Sequence, residues 1–238
     1  MRMLSNINLN ELNARLEKET TVRILEWAWS TFKEDKLAAT SSFQSQSLPL
    51  LHMISKAAPE LTVFFIDTGF HFPETLVFRD RLALEMGLNI KVLKPEIKSS
   101  RIQWQSGELY QKNPDLCCRI NKVKPLQEAK KKLNAWITGI RRDQTETREN
   151  VPIISIDGDG LYKICPMATW TRDDIWSYIN EHELQVHPLF SHGYLSIGCA
   201  PCTRPVFPGE EERDGRWPEY IKSECGLHIP IKGESVDS

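Results

Sequence analysis

No stretch of this 238-residue sequence is long and apolar enough for a membrane span. The longest uncharged stretch, Leu37 to Ser55, is rich in Ser and Gln, and the amino-terminal MRMLSNINLNELNARLEKE has no apolar run of export-leader length. No membrane partner, no export and a cytoplasmic location are therefore expected. There is also no excess of charge of one sign. The 30 basic and 32 acidic residues leave a formal net charge of -2, which argues against a nucleic-acid partner. Internal repeats and low-complexity tracts are lacking, which excludes solenoids and arrays. Glycine is sparse, and none lies in the hydroxyl-rich stretch Ser41 to Ser47. Such a loop cannot wrap a pyrophosphate as glycine-rich loops do, which argues against an ATP pyrophosphatase.

What is present suits an α/β protein. With 40% hydrophobic residues the chain can bury a core without covalent staples. Leu9, Leu12 and Leu16, then Val22, Leu25 and Trp29, recur at three- and four-residue steps and predict one or two amphipathic helices over 8 to 35. Leu37 to Thr40, Leu61 to Ile66, Asn89 to Leu93 and Ala135 to Ile140 read as buried strands separated by helical patterns, hence a doubly wound, mainly parallel sheet. Ligands of such sheets gather at the carboxyl ends of the strands, the rim carrying Ser41 to Ser47 and Asp67 to Phe72. Pro49 is expected in the first turn of a helix and Ser47 at its cap. After the fourth strand, Arg141, Arg142 and Arg148 are where a phosphate would be held, because a guanidinium fork pairs two oxygens. Pro152 to Ile156 and Leu161 to Cys165 flank Asp157-Gly158-Asp159-Gly160 and predict a hairpin. Thr171 with Asp174 reads as a helix cap. His182, His187 and His192 match no common zinc spacing and are assigned to turns and surface.

Six cysteines in a chain without an export leader read as thiols or metal ligands, not as a disulfide framework. Cys117-Cys118 and Cys199-Ala200-Pro201-Cys202 leave three readings open. A structural zinc site prefers two separated knuckles, which a tandem pair fits poorly. A thioredoxin-like dithiol would stand early, after the first strand. An iron-sulfur cube takes one thiolate per iron and accepts neighbouring cysteines. Cys225, close to the carboxyl end, stands apart from all four.

From Leu37 to His228 the sequence resembles the assimilatory adenylyl-sulfate and phosphoadenylyl-sulfate reductases. The resemblance is carried by Ser41-Ser42-Phe43, Asp67-Thr68-Gly69, Cys117-Cys118 with Lys122, Thr138-Gly139 with Arg141-Arg142-Asp143-Gln144, Ile197-Gly198-Cys199 with Pro201-Cys202-Thr203, Gly215-Arg216-Trp217 and Glu224-Cys225-Gly226-Leu227-His228. It implies an adenine nucleotide α-hydrolase-like fold, related to the pyrophosphatase-loop enzymes. It also implies a [4Fe-4S] cluster on Cys117, Cys118, Cys199 and Cys202, with Cys225 as catalytic nucleophile. Lys122, Gly139, Arg148, Arg213, Arg216 and His228 match nucleotide-binding positions, with Ser41 and Ser42 on the anion loop. Asn121 stands where the family often has arginine.

The implied reaction reduces adenylyl sulfate to sulfite and AMP through a Cys225 S-sulfonate, in sulfate assimilation and cysteine biosynthesis. Thioredoxin or glutaredoxin would be the reductant, 3'-phosphoadenylyl sulfate the alternative substrate, and a homo-oligomer the assembly. A helical segment over 1–35, a nucleotide-binding domain over 36–217 and a mobile tail over 218–238 are expected.

Overall fold

The structure, a computed structural model, describes residues 8–33, 36–96, 109–157, 160–220, 222 and 224–227. Its centre is a six-stranded sheet of order β3-β2-β1-β4-β6-β5. The strands are β1 (Leu37–Thr40), β2 (Thr62–Ile66), β3 (Asn89–Leu93), β4 (Ala135–Thr138), β5 (Ile154–Ile156) and β6 (Tyr162–Ile164). All neighbours pair in parallel except β5 and β6, which form the expected antiparallel hairpin; the tip residues 158–159 lie outside the described residues. Ala39 pairs with Val63 on one side and Ile137 on the other, and successive residues of β1 and β4 are buried, so these central strands are covered on both faces and read as continuous apolar runs. From β1 the chain proceeds outward through β2 and β3, then returns to start the other half at β4. The reversal opens a crevice between the carboxyl ends of β1 and β4, where ligands of such sheets bind.

Helices α1 (Leu9–Leu16) and α2 (Thr21–Phe32) form as their periodicity predicts, and Leu12, Leu16, Ile24 and Leu25 join the same core as the sheet residues. The amino-terminal helices are thus packed onto the α/β unit. Asn13 of α1 reaches β5 with both ends of its amide. Its Nδ2 donates to the Ile154 carbonyl at 2.8 Å, and its Oδ1 accepts from the Ile154 N–H at 2.9 Å.

Helix α3 (Leu48–Ala57) has Pro49 in its first turn as expected, but Ser47 makes no side-chain capping bond. A 3-10 turn over Ser45–Ser47 enters the helix instead, and the Ser47 hydroxyl lies 3.5 Å from that of Ser42. Helix α4 (Pro73–Met86) ends at Gly87, whose φ of 63° is left-handed, a conformation glycine adopts without a Cβ penalty. Thr171 and Asp174 form the expected reciprocal cap on the helix Arg172–Glu181.

The surface assignment of His187 is corrected, since its ring is 0% exposed. Its Nδ1 accepts from the Leu189 N–H, so its Nε2 carries the proton toward the Thr75 hydroxyl at 3.0 Å. Burial pushes its pKa down to about 4. Among the described residues, no helix is long and apolar enough to cross a membrane.

Candidate active site

Cys117 and Cys118 end the short helix Pro114–Cys118, which Asn113 caps by accepting from the Leu116 N–H. From Arg119 to Val123 the coil widens into a π turn, a local loosening that recurs at functional sites. Lys122 on that turn lines one small cavity with Cys117, Cys118, Cys199 and Cys202. The second cysteine pair is pinned to the strand rim. The Ala200 N–H donates to the Phe70 carbonyl at 2.7 Å, and His71 pairs with Cys199 in an isolated antiparallel bridge. All four thiols are buried, and none of the six cysteines is in a disulfide.

Two polar side chains address the sulfurs. The Thr68 hydroxyl lies 3.3 Å from Cys199 Sγ, and Asn121 Nδ2 donates to the Cys117 carbonyl at 2.9 Å and lies 3.4 Å from its sulfur. Burial pushes the Cys117 thiol up to about 11 and Cys118 up to about 12, and raises Cys202, with Cys199 adding to the shift in each. Burial also works against the Lys122 ammonium, but the negative charge that Cys199, Cys118 and Cys225 can carry outweighs it and raises the lysine pKa.

Four buried sulfurs, met by an ammonium and two polar groups, suit a thiophilic group whose positive charge would compensate the thiolates. Among the described residues no three His, Cys, Asp or Glu side chains meet where they could hold one metal ion. The four sulfurs border one shared space, so they could hold a thiophilic metal group together.

Lys122 is also the shared wall with a larger cleft. Ser41 and Ser42 beyond β1, Gly139 beyond β4, Arg148, Arg213, Arg216 and Cys225 all border that cleft. The loop beyond β1 is held open by Phe43, whose φ of 55° places it in the left-handed region, costly for any residue with a Cβ. Its fully buried ring meets Phe65 edge-on at 5.7 Å between centroids, and its N–H donates to the Ser41 hydroxyl at 3.1 Å. Gln44 Oε1 accepts from the Ile197 N–H at 2.9 Å and so joins this loop to the Cys199 segment.

Arg216 hangs from the cysteine knuckle, because Thr203, next to Cys202, pairs with it in an isolated bridge. The guanidinium lies 4.4 Å over the Trp217 ring and crosses Gly198 so closely that a Cβ there would stand 2.2 Å from Nη2. Buried Nε of Arg216 has no hydrogen-bond partner among the described residues. Burial, with Arg148 and Arg216 nearby, pushes Arg213 down to about 10. A cationic side chain whose charge is already disfavoured is one that an incoming anion would relieve.

Polar attachments of the described tail residues bring it to the cleft. The Tyr220 hydroxyl donates to the Gln111 carbonyl at 2.5 Å, Lys222 pairs with Asp115, and Glu224 pairs with Arg148 at 2.7 Å. Beyond Cys225, Gly226 turns with φ of 81°, and Leu227 packs against the cluster of Phe64, Leu126 and Trp136.

Of the three arginines expected to hold a phosphate after β4, Arg148 borders the cleft, while Arg141 and Arg142 do not. Arg141 gives its Nε and Nη2 to Asp143 and its Nη1 to Gln46, while Arg142 gives its Nε to the Val151 carbonyl and pairs with Glu17. Arg148 lines the cleft but turns its fork to Glu224. Guanidinium groups buried beside acids are paired with them, because an unpaired buried charge is too costly. His228 lies outside the described residues. Asp67 Oδ1 accepts from the Gly69 N–H, as a turn-capping Asp does, whereas His71 lines the cleft and donates from Nε2 to the Ile66 carbonyl. Sequence reasoning singled out neither Thr68 nor Gln44, and gave Glu224 no role. Only Glu224 carried a local signal, a charge directly before Cys225.

Residues 36–205 match the phosphoadenosine phosphosulfate reductase domain family. The chain is 44% identical over 215 residues to an adenosine 5'-phosphosulfate reductase of Streptomyces coelicolor, covering 90% of each protein. It is 44% identical over 199 residues to a phosphoadenosine 5'-phosphosulfate reductase of Gloeobacter violaceus, covering 82% of this chain and 83% of that one. Among solved structures, the phosphate complex of phosphoadenylyl-sulfate reductase from Candida auris superposes with a TM-score of 0.72 at 31% identity, covering 83% of this chain and 97% of that one.

Proposed function

The chain belongs to the phosphoadenosine phosphosulfate reductase family, and from that premise we propose that it reduces adenylyl sulfate to sulfite and AMP with Cys225 as nucleophile. The observation that carries this is the placement of the Cys225 thiol in one cleft with Lys122, Arg213 and Arg216. A thiolate is a far better nucleophile toward sulfur than a hydroxyl at neutral pH. Its attack forms a Cys225 Sγ–S bond and breaks the bond from sulfur to the bridging oxygen, so that AMP leaves with the electron pair. Lys122, Arg213 and Arg216 offset the repulsion between thiolate and sulfate and stabilise charge growing on the departing phosphate. The unpartnered Nε of Arg216 supports such a contact. Each charge-assisted bond contributes about 1.5 to 3 kcal/mol.

A dithiol protein of the thioredoxin type then attacks Cys225 Sγ. Sulfite leaves with its electron pair, and the second thiol resolves the mixed disulfide, so that two electrons come from the dithiol. Cys117, Cys118, Cys199 and Cys202 would hold a [4Fe-4S] cluster, which would supply compact charge beside Lys122. Electron transfer is not required of it, because the nucleophile is none of its ligands.

The test is sulfite release from adenylyl sulfate with reduced thioredoxin. Wild type should be active and Cys225→Ser inactive by at least about 1000-fold, the scale set by loss of a nucleophile. Activity insensitive to that substitution overturns the assignment. The 3'-phosphorylated nucleotide belongs in the same assay because the Gloeobacter relative is named for it. Iron and acid-labile sulfide, both lost in Cys199→Ser, would support the cluster; stoichiometric zinc would refute it.

A further inference from the structure

Glu224 directly precedes Cys225, and Arg148 holds its carboxylate in a fork. Arg148 Nε donates to Oε1 and Nη2 to Oε2, both at 2.7 Å, and the Thr145 hydroxyl adds a contact to Oε1 at 3.3 Å. The two side chains are only 7% and 8% exposed, and their residues lie 76 positions apart. The pair therefore ties the tail to the loop beyond β4 across the cleft. Tyr220 and Lys222 each make one hydrogen bond to a surface partner, and Lys222 also lies over the Trp217 ring at 5.3 Å. A two-bond fork fixes orientation as well as distance, which a single contact does not.

Position strengthens the point. Consecutive Cα atoms are about 3.8 Å apart, so a clamp on Glu224 leaves Cys225 little beyond its own torsions. Leu227 is seated on its apolar patch after the turn at Gly226, which limits the other side. Arg148 borders the same cleft as Arg213, Arg216 and Lys122, yet the atoms that would grip an anion face a carboxylate of the chain itself.

We propose that Glu224 is a positioning residue, forming with Arg148 a clamp that closes the tail and holds the Cys225 sulfur at the cleft. Arg148 then serves the placement of the nucleophile, and the substrate anion falls to Lys122, Arg213 and Arg216. The inference rests on the reading of Cys225 as nucleophile.

The test uses the full-length protein as purified and the variant Glu224→Gln, which keeps shape and removes charge. Three quantities are read: thermal stability, the rate of Cys225 alkylation by iodoacetamide without nucleotide, and the single-turnover rate of Cys225 S-sulfonation over a range of adenylyl sulfate. Peptide mapping separates Cys225 from the buried cysteines. A lowered but still cooperative thermal transition, because Arg148 stays buried without its counter-charge, faster alkylation, and a saturating S-sulfonation rate lowered about 10-fold or more with little change in half-saturating nucleotide are expected, the last two the mark of lost orientation. Arg148→Lys, which keeps the charge and loses the fork, should behave alike, and Glu224→Asp should recover part of the rate.

Wild-type alkylation and S-sulfonation in Glu224→Gln would overturn the clamp. So would an Arg148→Lys variant that weakens nucleotide binding while leaving Cys225 reactivity untouched. Should Arg148→Lys lose its fold, Glu224→Gln decides alone. The alkylation readout involves no nucleotide, so a wild type inert toward adenylyl sulfate refutes the functional reading without prejudging the clamp.

Discussion

On the sheet side of the cleft, Ala39 and Ile137 are almost completely buried, and each lies in a strand with ladders on both flanks. On the tail side, Glu224 and Cys225 belong to no strand or helix, and the segment is held by Tyr220, Lys222, Glu224 and the packing of Leu227. Moving the first wall requires breaking the core; among the described residues, moving the second requires breaking side-chain contacts of Tyr220, Lys222, Glu224, Cys225 and Leu227. Local opening of a protein is drawn from such sparsely packed segments. The division suits the proposed chemistry, because the wall that carries Ser41, Ser42 and Gly139 has to stay fixed beside the nucleotide while the sulfonated thiol has to be met by a second protein.

The largest effect should come from the sheet wall. Ile137→Ala removes buried volume from β4 and should cost about 2–5 kcal/mol in urea unfolding. A loss near that of a surface substitution would break the contrast between the walls.

Acid should also enter through the sheet side. His187 meets Phe78 edge-on at 5.0 Å between ring centroids, and its backbone N–H donates to the buried Ser45 hydroxyl at 3.1 Å. Its folded pKa of about 4 lies below the ordinary 6.5, so the unfolded chain binds the extra proton first as pH falls. The stabilisation is fully present above pH 6.5 and is lost as pH falls through about 4, a difference on the order of 3 kcal/mol. Urea midpoints at pH 7, 5 and about 4 should fall less steeply for His187→Gln than for wild type. Parallel curves would remove His187 from the account.

The smallest effect tests the seam between the walls. In Gly198→Ala the new Cβ would overlap the Arg216 guanidinium, which must swing away. The KM for nucleotide should rise about 10-fold, about 1.4 kcal/mol, with little change in unfolding. An unchanged KM would show that Arg216 does not grip the anion from this position.

Local patterning carried much of this fold. The apolar runs at Leu37, Leu61, Asn89 and Ala135 became β1 to β4, and Pro49 and Thr171 began their helices as expected. Motif order was enough to identify the family, and all the cleft residues it pointed to within the described chain border one cleft. What remained hidden depends on distant partners. Arg141, Arg142 and Arg148 look alike in a polar loop, and only the fold shows that Asp143, Glu17 and Glu224 claim them. His187 reads as a loop histidine because its burial comes from elements more than a hundred positions away, at Ser45 and Thr75. Phe43 gives no hint of its left-handed backbone, since nothing in the residue itself favours that region.

Asn13 bears on how the molecule behaves in a crowded solution. Strand β5 ends the sheet, and such an edge ordinarily offers its backbone groups as a template for another chain. The Asn13 amide meets both backbone groups of Ile154 much as one peptide unit of a neighbouring strand would. A single side chain thus closes the ladder at that point and denies a foreign strand its first foothold, a safeguard against aggregation that needs no seventh strand.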